Sequence, residues 1–166
     1  EWLLHVCLRW LERKRLLQAM PIKLGQIHQW YLYVVGVVLT LSGALWLYFH
    51  YFVRIEGEFG PMHHPIEHFL ISTHGITAAL MMIGLGSVIP GHIVRAWTMR
   101  RNLWTGIFML LTMAVLSVSG YFLYYLGAEG IRDVSAIVHW VVGLALPVVA
   151  WVHIQRGFKT RKLSNR

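Results

Sequence analysis

The chain has 166 residues, 57% apolar and 13% charged, with 15 basic and seven acidic side chains, a formal charge of +8 and a mean hydropathy of +0.55. A soluble domain of ordinary composition carries about 25% charged residues, so this chain lacks the polar surface to cover a core in water, and lipid is the solvent that fits it. The single cysteine, Cys7, excludes an intrachain disulfide, a covalently attached c-type haem, and any zinc or iron–sulfur centre held by cysteines of this chain alone.

In chain order, residues 1–20 come first. Their apolar part, residues 2–11, is too short to span a bilayer, and its basic run follows instead of preceding it, the reverse of a secretory signal. On a helical wheel His5, Arg9, Glu12 and Arg13 share one face, which predicts an amphipathic helix lying on the cytoplasmic membrane surface. A partner-binding helix is the competing reading. Pro21 then separates this segment from the first span.

Four stretches without Asp, Glu, Lys or Arg follow: residues 24–53, 68–94, 102–128 and 134–155. Each is long enough for a helix to cross the hydrocarbon, and none alternates with period two, which excludes a β-barrel. The expected spans are about residues 28–52, 68–93, 103–126 and 134–154. Residues 21–157 therefore read as one four-helix transmembrane domain, followed by a basic cytoplasmic tail at 158–166. Pro90-Gly91 should kink or end the second helix, which Gly84 and Gly86 already weaken. The loop at 54–67 holds Gly57, Gly60, Pro61 and Pro65 and should be an ordered turn region at most. Trp30, Tyr31, Trp97, Trp104, Tyr124, Tyr125 and Trp151 cluster near span ends, as an aromatic belt does.

The basic residues are divided unevenly. Thirteen lie before the first span, between the second and third, or after the fourth, and only Arg54 and Arg132 lie in the other two loops. The positive-inside rule then places both termini in the cytoplasm. The charge is a topology signal and a contact for lipid headgroups, not a nucleic-acid surface. The expected fold class is an all-α membrane protein: a four-transmembrane-helix bundle with an amphipathic interfacial helix at its N-terminus.

Ten histidines carry the chemistry. His139 and His153 stand 14 residues apart on the fourth span, about 40° short of four whole turns and about 21 Å along the axis. They project from one face, at a separation that suits two haems stacked across a bilayer. Gly143, Leu146 and Ala150 lie between them, mostly small residues that leave room for a porphyrin. His74 follows Glu67 by seven residues and His139 follows Arg132 by seven, so the two imidazoles should sit at similar depth. His153 has two candidate partners. His28 opens the first span, and His92 closes the second on the same face as His74. The 18 residues from His74 to His92 advance about 27 Å, roughly 6 Å more than the interval on the fourth span. Geometry leaves both partners open.

Taken together, His28-Gln29-Trp30, the later Ser42-Gly43 step, His74 early in the second span, a third span without histidine, and His139 and His153 in HWVVGLALPVVAWVHI form a recognisable set. Over about residues 27–157 the chain resembles the cytochrome b (gamma) subunits of respiratory formate dehydrogenases and nickel–iron hydrogenases. The resemblance implies two haem b groups, one held by His74 and His139 on the periplasmic side and one by His28 and His153 on the cytoplasmic side. It also implies a quinone site (menaquinone or ubiquinone) beside the cytoplasmic haem. His92 itself reads as an interfacial residue or quinone contact, with an alternative ligand as the competing reading. The implied setting is the bacterial inner membrane, as the electron-transfer subunit of an oxidoreductase complex. A periplasmic partner carrying iron–sulfur clusters or the catalytic centre would exchange electrons with it, and no catalytic residue is assigned to this chain.

Simpler readings compete. A cofactor-free membrane anchor or transport protein could use the histidines as a proton relay. His50, His63, His64 and His68 sit at or outside the periplasmic boundary, where a metal site competes with a solvated loop or a partner-docking surface. Gly106 and Gly120 on the third span either admit the porphyrins or only let helices pack closely. Lys23, Arg54, Arg132 and Arg156 could pair with haem propionates or simply mark topology.

Overall fold

A computed structural model of the protein describes residues 2, 5–10, 12, 24–58 and 60–164, without the side chains of 161–164. Its elements are α1 (Gln26–Phe52), β1 (Arg54–Gly57), β2 (Gly60–His63), α2 (Ile66–Val88), a π-helical turn (Ile89–Ile93), α3 (Val94–Thr98), α4 (Leu103–Tyr125) and α5 (Glu129–Ser164). Residues 5–10 are also helical and exposed, whereas most of the predicted surface helix at 1–20, with Pro21 and Lys23, lies outside the described residues.

Among the described residues, four helical segments are long and apolar enough to cross a membrane: Gln26–Phe52, Ile66–Thr98, Leu103–Tyr125 and Glu129–Thr160. Each covers one of the four predicted spans, to within a residue where the third ends. Apolar runs of this length become helices because a helix satisfies its backbone groups internally. Hydroxyls within them do the same. Thr40 bonds to the carbonyl of Gly36, Thr112 to Phe108 and Ser135 to Ile131, each one turn back.

The helices form two hairpins. α1 packs along α2 and α4 along α5, while across the hairpins α1 touches α5 only lightly and α2 and α5 make little backbone contact. Small residues set the first pairing: a Cβ on Gly84 would lie 2.6 Å from Cε1 of Tyr31. Tyr31 also donates its hydroxyl proton to the carbonyl of Leu80, at 2.6 Å. The buried side chains are few, among them Val35, Leu70, Met81, Met113 and Leu146, and large apolar groups such as Ile27, Phe69, Ile76 and Trp104 face outward. An apolar exterior of this extent fits a lipid surrounding.

The sequence left Pro90 either to kink or to end its helix, and the helix does not end there. The chain widens into the π turn and continues to Thr98, which accommodates a ring that has no N–H to donate. The 54–67 loop is better ordered than expected: β1 and β2 pair antiparallel, with Arg54 opposite His63 and Gly57 opposite Gly60, whose φ of +112° only glycine adopts freely. Finally, α5 continues as helix into the basic C-terminal segment, through Ser164. Arg101 donates to the carbonyl of Thr160 (3.2 Å), and the Thr160 hydroxyl donates to Oδ1 of Asn102 (3.0 Å), tying that extension to the corner before α4.

Candidate functional site

The two hairpins face each other through histidines. α2 and its π turn carry His74 and His92, and α5 carries His139 and His153. The rings of His74 and His139 lie 6.1 Å apart between centres, at 78° to one another. Those of His92 and His153 lie 6.2 Å apart at 82°. Both pairs bridge helices that otherwise make little backbone contact.

Three of the four rings are held from behind by a neighbouring helix. Nδ1 of His74 lies 3.0 Å from the Leu39 carbonyl oxygen and 3.4 Å from Oγ of Ser42, both on α1. A carbonyl only accepts, so Nδ1 of His74 carries the proton. Nδ1 of His139 lies 3.0 Å from Oγ of Ser119, and that hydroxyl already gives its proton to the Val115 carbonyl at 2.7 Å. Nδ1 of His153 lies 3.2 Å from Oγ1 of Thr105, whose proton goes to the Asn102 carbonyl at 3.1 Å. Each hydroxyl must therefore accept from its imidazole. All three rings take the same tautomer, and Nε2 is left as the nitrogen with a lone pair.

Glycines give the rings their space. A Cβ on Gly43 would lie 2.8 Å from Cε1 of His74, and one on Gly120 would lie 3.2 Å from Cε1 of His139. Gly106 leaves 3.8 Å to Cε1 of His153. The glycines of α4 therefore lie against imidazoles, a role that neither sequence reading assigned them. The steps Ser42-Gly43, Thr105-Gly106 and Ser119-Gly120 each combine a hydroxyl that reaches an imidazole with a glycine beside it, and Gly43 and Gly120 make room for the ring. The sequence holds this signal as three hydroxyl–glycine dipeptides, but only Ser42-Gly43 stood out there.

These donors fit the group that the resemblance implies. A metal between two opposed imidazoles sits about 2.0 Å from each nitrogen, which places the ring centres about 6.3 Å apart. The observed 6.1 and 6.2 Å match that arrangement. Metal-bound histidines also usually donate their other ring N–H to a carbonyl or comparable acceptor, as His74, His139 and His153 do.

The structure brings three of the four implied ligands into this arrangement and gives the fourth a different contact. The ring facing His153 is that of His92. Nε2 of His28 lies 2.5 Å from Oγ of Ser87 on α2, and that hydroxyl donates to the Gly84 carbonyl at 2.6 Å, so the His28 nitrogen supplies the proton between them. The π turn contributes to how His92 reaches its place. It packs more residues into each turn than an α-helix, which takes about 1.5 Å off the advance from His74 to His92, part of the difference from the interval on α5. No family model, curated protein or solved structure matches the chain, so the functional reading rests on this geometry.

Proposed function

We propose that the protein is a membrane-integral b-type cytochrome subunit with two haems, transferring electrons between a redox partner on one side and membrane quinone. The observation that carries this reading is the pair of opposed imidazole couples, 6.1 and 6.2 Å between ring centres. Haem supplies one-electron redox chemistry when bound, with a potential set by its axial ligands and its burial.

The chain's part is to fix ligands at two depths. His74 and His139 would hold the haem nearer the β-hairpin, and His92 and His153 the one nearer the α3–α4 corner. The hydrogen bonds from Nδ1 of His74, His139 and His153 keep those rings oriented and raise the basicity of the opposite nitrogen. His92 takes the ligand role that the resemblance gives to His28. His28, bonded to Ser87 near the same end, then becomes the candidate quinone contact.

The charge distribution supports an orientation with both termini and the basic α3–α4 corner in the cytoplasm and the β-hairpin outside, in a bacterial inner membrane. An iron–sulfur or catalytic partner would dock on the outer face, and quinone, as menaquinone or ubiquinone, would react near the inner one.

The test is a reduced-minus-oxidised absorbance spectrum of the purified protein with pyridine haemochrome quantification. Two b haems per chain are expected, falling to one in His139→Ala or His153→Ala. A preparation without haem after expression with ample haem supply would overturn the reading in favour of a cofactor-free anchor or a proton relay.

A further inference from the structure

The β-hairpin end holds a second group of imidazoles that electron transfer does not use. His50 lies in the last turn of α1, His63 ends β2, and Glu67 lies in the first turn of α2. Nδ1 of His50 stands 3.0 Å from Oε2 of Glu67, and Nδ1 of His63 stands 3.0 Å from Oε1. The three donor atoms all lie within 4.8 Å of one another. Glu67 is only 8% exposed, so its charge requires a local partner.

His63 bridges two charges. Its Nδ1 stands against the carboxylate of Glu67, an acceptor, while the guanidinium of Arg54, a donor, reaches both Nδ1 and, at 3.3 Å, Nε2. A neutral ring can thus give its Nδ1 proton to Glu67 and take one from Arg54 at Nε2. A cation among the three groups would replace these bonds, taking lone pairs from both nitrogens and neutralising the carboxylate. Two imidazoles and one carboxylate form a recognised zinc-binding set that leaves a fourth position for water.

We propose that His50, His63 and Glu67 bind a first-row divalent cation, zinc in particular, where the β-hairpin meets the ends of α1 and α2. Binding requires two movements. The His63 ring, stacked on His50 at 4.7 Å, must turn so that both lone pairs converge, and its exposed position on a four-residue strand permits that. Exposed Arg54, the cation facing the site, must swing into solvent. His50 is more firmly placed, stacked on Trp46 at 4.5 Å. The bound ion would join three separate elements and lock the hairpin to the bundle. The borderline ligand set favours zinc, nickel or copper over magnesium or calcium.

The experiment is calorimetric titration of the purified, chelator-treated protein in nanodiscs with zinc chloride near neutral pH. One saturable equivalent is expected. His50→Ala, His63→Ala and Glu67→Gln should each weaken it about tenfold or more, and Arg54→Gln should tighten it. His64→Ala should leave it unchanged, because Nδ1 of His64 accepts from the backbone N–H of Ile66 at 3.1 Å, outside the cluster. Zinc X-ray absorption on the parent protein, which needs no variant to fold, should count two imidazoles and one or more oxygens. Absence of a saturable equivalent, binding indifferent to all three ligand variants, or a coordination shell without two imidazoles would overturn the proposal. Zinc binding by a colourless preparation would support this site while overturning the haem reading, so the two fail separately.

Discussion

Oγ of Ser119 gives its proton to the carbonyl of Val115 and takes the Nδ1 proton of His139, 3.0 Å away on the facing helix. One hydroxyl thereby sets the tautomer of an imidazole in an apolar surrounding, on a ring whose centre lies 6.1 Å from that of His74. Gly120, the next residue, supplies the space, and Thr105 repeats the hydrogen bond at His153.

Removing that hydroxyl should loosen the ligand without emptying the site. Ser119→Ala is expected to weaken haem binding about tenfold, the lower end of what such partners contribute to metal sites. It should also raise the midpoint potential of the same haem, because a less basic imidazole stabilises the oxidised iron less. Potentiometric titration of the parent and the variant separates this role from a merely structural one, which would leave the potential of the remaining haem unmoved.

The glycines predict a graded series. Gly43→Ala puts a methyl group 2.8 Å from Cε1 of His74, closer than atoms pack, so the ring must shift or the helices part. Gly120→Ala, at 3.2 Å from His139, should be milder, and Gly106→Ala, at 3.8 Å from His153, should be tolerated. Haem content per chain should therefore fall most in Gly43→Ala and least in Gly106→Ala. An equal effect in all three would contradict the geometry.

The partner of His153 gives the sharpest comparison. His92→Ala should remove one haem per chain, whereas His28→Ala should keep both and lose only the contact with Ser87. The resemblance predicts the opposite pattern. Pyridine haemochrome quantification of the two variants decides between them.

At the α3–α4 corner, Asn102 adopts φ of +53°, where a β-branched residue is strained. It also accepts the hydroxyl of Thr160 at 3.0 Å. Asn102→Val should cost about 1–3 kcal/mol of stability. Asn102→Gly removes the strain but also the hydrogen bond, and should cost about 1 kcal/mol. Thermal unfolding in detergent should rank them in that order.

The four long helices were legible because their signal is local. A run of about 20 apolar residues specifies a helix in lipid wherever it occurs in the chain. The shared face of His139 and His153 follows from helical period in the same way, within one element. The β-hairpin at 54–63 was not legible, and at Pro90 the sequence left a kink and a helix end both open. Turn residues show where the chain can bend, while neighbouring packing decides whether it pairs, widens or stops.

The site depended still more on tertiary structure. Sequence spacing left His28 and His92 equally open as partners of His153, because their distances from it depend on how two helices lean and how far a π turn advances. The backing of His74 by α1, and of His139 and His153 by α4, involves residues 20 to 48 positions apart. The meeting of His50, His63 and Glu67 spans fewer positions but still joins a helix end, a strand and a helix start. Composition and period determine which segments are helices and which faces carry histidine, since these depend on each residue and its near neighbours. Which imidazoles meet, and which hydroxyl or carbonyl orients each one, is decided only when separate helices pack, because hydrogen bonds and metal ligation act over a few ångströms.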